Sequence, residues 1–443
     1  MIKKVQKQEP RAWVVTVNMG LGHQRAAYPL RGIAEGRIIT IGDDKSAYPE
    51  EKKLWNRLRK SYETISRMKK IPLVGKPIFG LLDYIQNIPP LYPVRNMSNP
   101  TMAVHLVNSV VKKGIGRRMM EKIREKPLPL VTSYPIPAIA ADRAGYSRIY
   151  AILCDAEISR AWVAENPTDS RIHYFAPCGK TVQRLKTYGV PDERIFLTGF
   201  PMPTELTGSR GLEILKRDLG QRLFYLDPNG RFWALHKRNV VYFLGRQNCK
   251  PKKERILSLT YAVGGAGVQK EIGFQIARAL REKVLKGEIK LNLVAGIREE
   301  VKEYFDNVKQ ELLPNHEGIE VIYSSDVGEY FERFNQVLRY TDILWTKPSE
   351  LSFYCGLGFP VIIAPPIGAH ERYNKKWLME IQAGIPQEDP QYADQWLLDL
   401  LWEGRLAESA WDGFLKARKF GTYKILEILE TGTMERETSP LKR

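Results

Sequence analysis

The chain has 443 residues, a hydrophobic fraction of 43%, and 68 Lys and Arg against 50 Asp and Glu, for a formal net charge of +18. Its length exceeds what one core usually serves and predicts two domains of roughly 150 to 220 residues each. No run of about 18 uncharged apolar residues occurs, which argues against a membrane-spanning helix, and the start MIKKVQKQEPRAW lacks the apolar centre of a signal peptide, so a cytoplasmic protein is expected.

Cys154, Cys178, Cys249 and Cys355 are widely spaced without a CxxC pair, which argues against a disulfide framework or a structural zinc site and predicts reduced, mostly buried thiols. The basic balance favours a polyanionic partner or an anionic membrane surface without choosing between them.

In chain order, short β-branched runs at 12–17, 37–42, 129–133, 148–153, 172–177 and 194–199 alternate with helical stretches. A second series runs at 256–263, 289–296, 319–323, 342–346 and 360–364. Such alternation is the pattern of a parallel sheet covered by helices, so two doubly wound α/β halves in tandem are predicted. The expected domains are 1–204, with an insertion at 43–127, and 251–405. A polar, basic linker excursion is placed at 205–250, a C-terminal helix returning to the first domain at 406–430, and a frayed tail at 431–443. The insertion concentrates the charge excess: Glu51 to Gly80 holds nine Lys or Arg against two acids, around an apolar segment that includes Ile71, Leu73, Val74, Ile78, Phe79, Leu81 and Leu82.

In an open parallel sheet, ligands bind at the carboxyl ends of strands. Four loops there carry candidate chemistry. NMGLGHQRAA follows the first strand; Gly20 and Gly22 permit close approach to a helix expected to begin near Gln24, and His23 is a candidate base or hydrogen-bond donor. The same loop can equally be a tight turn with a solvent-facing histidine. GGAGVQKEIG repeats the device through Gly264, Gly265 and Gly267, without the GK[ST] of a Walker motif. After DILWT come Lys347, Ser349 and Glu350, then His370, Glu371 and Asn374, which together supply a cation for a diphosphate and groups for a ribose diol. CDAEISRAW places Asp155 and Glu157 at a central strand end, as base, substrate contact or helix cap.

This set of motifs resembles the family 28 glycosyltransferases of GT-B fold, which include monogalactosyldiacylglycerol synthase, processive diacylglycerol glucosyltransferases and the transferase that makes lipid II. GLGHQRAA is similar to the family's GGGHxxAA turn, YAILCDAEISRAW to its TD…HxxW segment, and residues 171–201 to its aps…Gv…kI.vtGiP stretch. In the second half, DILWTKPSELS is similar to the donor motif Dl.itKpGg.T and PPIGAHERYN to PIPGQExxN. The sequence departs where Ser349 and Glu350 replace a glycine pair, Phe353 replaces the glutamate that contacts the donor ribose, Ser159 replaces the HxxW histidine, and His370 replaces a glutamine.

The resemblance implies two Rossmann-like domains facing across a cleft and an inverting transfer from a nucleotide-diphosphate sugar, UDP-sugar above all, with no metal or other cofactor. His23 or Asp155 is then the base, Gly20, Gly22 and Glu157 contact the acceptor side, and Gly264, Gly265, Gly267, Lys347, Ser349, Glu350, His370, Glu371 and Asn374 hold the donor. The acceptor is expected to be a hydroxyl of a lipid or of another acceptor at the cytoplasmic membrane face, with residues 51–82 on a lipid acceptor or an anionic surface. Two other readings remain: a nucleotide-sugar 2-epimerase, and a non-catalytic binding protein of the same fold. Nucleic-acid binding lacks an RRM, zinc-finger or helix-turn-helix signature.

Overall fold

A computed structural model describes residues 10–42, 48–57, 88–250, 255–265 and 267–435. The described residues divide into two compact units, one of residues 10–19, 23–201 and 420–435, the other of residues 20–22 and 202–419. Each is built on a six-stranded sheet whose neighbouring strands all pair in parallel. The fold class is therefore the expected one, α/β with two doubly wound Rossmann-like units.

The first sheet has the order β2-β1-β3-β4-β5-β6. Its strands are β1 (Trp13–Val17), β2 (Ile39–Ile41), β3 (Leu130–Thr132), β4 (Ile149–Ile152), β5 (Ile172–Phe175) and β6 (Ile195–Phe196). The central strands β1, β3 and β4 are buried at every position, as strands covered on both faces must be, and so they read in sequence as continuous apolar runs. The strand order reverses between β1 and β3, so the switch point of this sheet lies at the end of β1.

The second sheet comprises β7 (Leu257–Ala262), β8 (Ile289–Gly296), β9 (Ile319–Tyr323), β10 (Ile343–Thr346), β11 (Val361–Ile363) and β12 (Gly384–Pro386). Its order, β12-β11-β10-β7-β8-β9, is the 3-2-1-4-5-6 arrangement of a dinucleotide-binding sheet read from the other edge, with β7 as its first strand. Here the switch point falls between β7 and β10. Asp342 fixes that pair: its carboxylate accepts Ser258 N–H at 2.9 Å and pairs with Arg255.

Residues 205–250 were expected to be a linker, but they belong to the second unit. Helices Glu213–Tyr225 and Arg231–Leu244 bury Leu215, Leu219, Leu223, Phe232 and Val240. The fully buried Arg222 guanidinium donates to the carbonyls of Thr341 (2.8 Å), Leu357 (2.9 Å) and Gly358 (3.1 Å). A charge-rich helix thus looks like a linker in sequence because its arginine serves backbone carbonyls. Helix Arg405–Lys416 also lies in the second unit, while helix Gly421–Thr431 lies in the first. The latter approaches so closely that a Cβ on Gly421 would fall 2.2 Å from the Phe200 carbonyl oxygen, and Arg148 donates to Leu429 O at 3.0 Å.

Within the expected insertion, residues 49–57 are helical, followed by helices Met102–Lys112 and Arg117–Glu125. Glu51 is buried there, accepting Gly116 N–H at 2.8 Å and Arg118 N–H at 3.3 Å, so its carboxylate caps the start of the last of these helices. The apolar segment 71–82 and the basic residues Arg59, Lys60, Arg67, Lys69, Lys70 and Lys76 lie outside the described residues. Among the described residues no helix is long and apolar enough to cross a membrane. All four cysteines are free, and three of them are buried.

Candidate functional site

The first site lies at the carboxyl end of the first sheet. Helix Leu21–Ala27 begins three residues earlier than the sequence suggests, so Gly22 and His23 sit inside its first turn and the glycine turn contracts to Gly20, whose φ of +95° favours glycine. The helix has seven residues. The histidine has the clearer chemistry. His23 Nδ1 lies 2.6 Å from the Ser133 carbonyl oxygen, which can only accept, so Nδ1 carries the proton and Nε2 carries the lone pair.

Ser133, at the exit of β3, is held in turn. Its N–H donates to Val15 O at 3.1 Å and its hydroxyl to Thr16 Oγ1 at 2.9 Å, both on β1. The imidazole is flanked by Tyr134, edge-on with ring centres 5.1 Å apart, and by Trp162 at 6.0 Å. Cys154 Sγ lies 3.7 Å from Nδ1. Ser133 and Tyr134 were missed in sequence, although the run PLVTS marked a strand end on the same rim.

Asp155 lies just past β4, the neighbour of β3, half-buried on the same rim as His23. Its carbonyl accepts the Thr181 hydroxyl at 3.1 Å, which fixes the loop. Glu157, expected at a substrate, has a different place: its carboxylate accepts Arg184 Nε at 2.6 Å, with the two side chains 3% and 0% exposed. Arg184 also donates to Pro89 O at 2.7 Å, so the pair fastens helix Gly179–Thr187 to the loop beneath it. Glu157→Ala should leave Arg184 charged and unpaired and cost about 3 to 5 kcal/mol of stability, read as a lower urea midpoint. Arg160 is likewise structural, donating to the carbonyls of Ser98, Val163, Ala164 and Glu165 and thereby shaping the SRAW segment.

The second site lies at the switch point of the second sheet. The turn after β7 carries Gly264 and Gly265, and Gly267 N–H closes on Gly264 O at 2.8 Å with Gly267 at φ +71°. Helix Lys270–Ala279 follows, its preceding residue Gln269 anchored by Tyr261 Oη to its carbonyl at 2.6 Å. Lys347 leaves the end of β10 and lies flat against this turn: a Cβ on Gly264 would be 2.2 Å from Lys347 Cε and 2.9 Å from Cδ. Glycine at 264 is therefore what lets the cation cross the switch point.

The Lys347 ammonium pairs with the Glu371 carboxylate, in the first turn of helix Ala369–Glu380. The other Glu371 oxygen accepts Ile367 N–H at 2.6 Å and Gly368 N–H at 3.4 Å. Burial works to raise the Glu371 carboxyl, but the Lys347 ammonium and the two backbone N–H groups outweigh it and hold the group below its ordinary value of 4.5. A carboxyl depressed in the folded state contributes stability that is present above its unfolded value and is lost as pH falls through the folded one. Glu371→Gln should accordingly flatten the dependence of stability on pH below 4.5, measured by urea unfolding across an acid series.

Ser349 and Glu350 follow Lys347 directly, and Ser349 N–H turns back on Lys347 O at 2.8 Å at the start of the 3-10 helix Glu350–Leu357. Asn374, expected at the donor, is fully buried and donates to Pro348 O at 3.1 Å, so it fixes the shape of the KPS turn. Phe353 is buried against Trp377, ring centres 4.9 Å apart, and belongs to the core. His370 is half-buried as the second residue of helix Ala369–Glu380. The structure thus brings Gly264, Gly265, Lys347 and Glu371 together on one rim, and places Glu157 and Asn374 in supporting roles. Among the described residues no cluster of His, Cys, Asp or Glu has the make-up of a metal site.

Fold and rim define an α/β protein with a switch-point loop at the carboxyl end of each of two parallel sheets. A family model described as a domain of unknown function, DUF6938, matches residues 297–425. No curated protein matches the chain. Among solved structures, the S. aureus MnaA–UDP co-structure is similar at 12% identity and a TM-score of 0.49, covering 95% of this chain and 96% of that one. The UDP-GlcNAc 2-epimerase from Neisseria meningitidis bound to UDP-GlcNAc is similar at 10% identity and a TM-score of 0.48, over 95% and 99% of the two chains. MurG of Acinetobacter baumannii is similar at 14% identity and a TM-score of 0.47, over 95% and 99%.

Proposed function

We propose that the protein is a glycosyltransferase that moves a sugar from a nucleotide-diphosphate donor to an acceptor hydroxyl with inversion. The observation that carries this reading is Lys347 lying against Gly264 at the switch point of the second sheet, a built cation beside a glycine turn and a helix start. A diphosphate arriving there takes Lys347 from Glu371 and accepts from the backbone N–H groups of Gly264 and Gly265, in the turn that Gly267 N–H closes. Ser349, Glu350 and His370 serve the ribose or sugar; Glu371 acts through Lys347.

His23 is the base. Its Nδ1–H donates to Ser133 O, which fixes the tautomer whose Nε2 lone pair takes the acceptor proton. The acceptor oxygen attacks the anomeric carbon, the bond from that carbon to the diphosphate oxygen breaks, and the diphosphate departs with its electron pair toward Lys347. Asp155, on the same rim as His23, orients the acceptor. The acceptor is a lipid hydroxyl at an anionic membrane face, a reading supported by the basic excess of residues 51–82. Product analysis with a panel of UDP-sugars and lipid hydroxyl acceptors tests it. The expected result is an inverted glycoside and free UDP only when both substrates are present; sugar interconversion without acceptor would replace transfer by epimerisation.

A further inference from the structure

Helix Arg231–Leu244 turns Phe232, Val240 and Leu244 inward, yet leaves Leu235 and Tyr242 76% and 77% exposed. Positions 231, 235, 238 and 242 recur at steps of three and four, so Arg231, Leu235, Arg238 and Tyr242 share one face of the helix, and the exposed Arg246 follows in the short turn Arg246–Asn248. Between Asp227 and Glu254 the sequence holds seven basic residues, Arg231, Lys237, Arg238, Arg246, Lys250, Lys252 and Lys253, and no Asp or Glu. Among the described residues, Glu403 reaches this face and pairs with Arg231.

We propose that this face docks on an anionic lipid bilayer, with Leu235 and Tyr242 entering the interfacial layer and the basic side chains lying over the headgroups. The occupant is a bilayer and not a folded partner because the apolar contact consists of two separate side chains among long cations. That pattern suits a fluid surface, whereas a stable protein interface needs a continuous packed core. The positive charge, offset at Arg231 by Glu403, complements the negative surface potential of such a membrane. The proposal does not rest on residues 51–82 and stands whether or not the protein transfers a sugar.

Flotation of the full chain with vesicles of phosphatidylcholine alone, or with about 30% phosphatidylglycerol, tests the proposal. Wild type should bind the anionic vesicles alone and weaken with added salt. Leu235→Asp/Tyr242→Asp and, separately, Arg238→Glu/Arg246→Glu should each weaken binding by about tenfold or more with thermal unfolding unchanged. Binding by both variants at the wild-type level would overturn the proposal and move attachment elsewhere. So would equal binding to neutral vesicles, or capture by soluble polyglutamate in place of vesicles. A UDP titration of the same samples reports separately on the donor site.

Discussion

His23→Ala should lower the rate of transfer by about 10²- to 10⁴-fold while leaving donor affinity unchanged, because a positioned base contributes in the transition state and not to ground-state binding. The effect is large because the imidazole is held in one tautomer. Its Nδ1–H is bound to Ser133 O at 2.6 Å, and Ser133 is itself fastened to β1 through both its backbone and its hydroxyl. A base must carry a lone pair to accept, which Nε2 supplies in that tautomer and alanine does not. Asp155→Asn separates the two carboxyl-rim candidates and should lower the rate less than His23→Ala. The reverse ranking in kcat/KM would transfer the base role to Asp155.

Lys347→Ala should weaken nucleotide-diphosphate binding by about 10- to 100-fold, the loss of a charge-assisted contact worth about 1.5 to 3 kcal/mol. The variant removes a cation and also leaves Glu371 charged beside the phosphate path, which adds repulsion to the lost attraction. Lys347→Ala/Glu371→Gln should therefore recover part of the loss. Glu371→Gln alone should tighten binding, because Lys347 is then released from a competing carboxylate; weaker binding would return Glu371 to direct contact with the ribose. Calorimetric titration with UDP reads all three.

The strands were legible because parallel sheets buried on both faces write themselves as continuous apolar runs: all eleven expected strands are present, with ends that differ by at most three residues. β12 was not, since Gly384–Pro386 is three residues long with a proline that only an edge strand tolerates. The helices of 205–250 were hidden by their charge, because nothing local tells a solvated arginine from Arg222, whose donors reach three carbonyls more than a hundred residues away. The same holds at the sites. The sequence marks which loops leave strand ends, and so His23, Gly264 and Lys347 could be picked from it. It does not mark partners: Glu157 and Asn374 looked like ligand contacts until Arg184 and the Pro348 carbonyl appeared beside them. Ser133 went unnoticed because its contribution to His23 is a backbone carbonyl, which every residue carries.

The central claim is that the switch point of the second sheet holds a nucleotide diphosphate. A crystal structure of the protein soaked with a UDP-sugar measures it directly. The account predicts diphosphate density against the Gly264–Gly265 turn, with Lys347 Nζ turned from Glu371 to a phosphate oxygen. Density elsewhere, or a Lys347–Glu371 pair left intact in a ligand-saturated crystal, would contradict it.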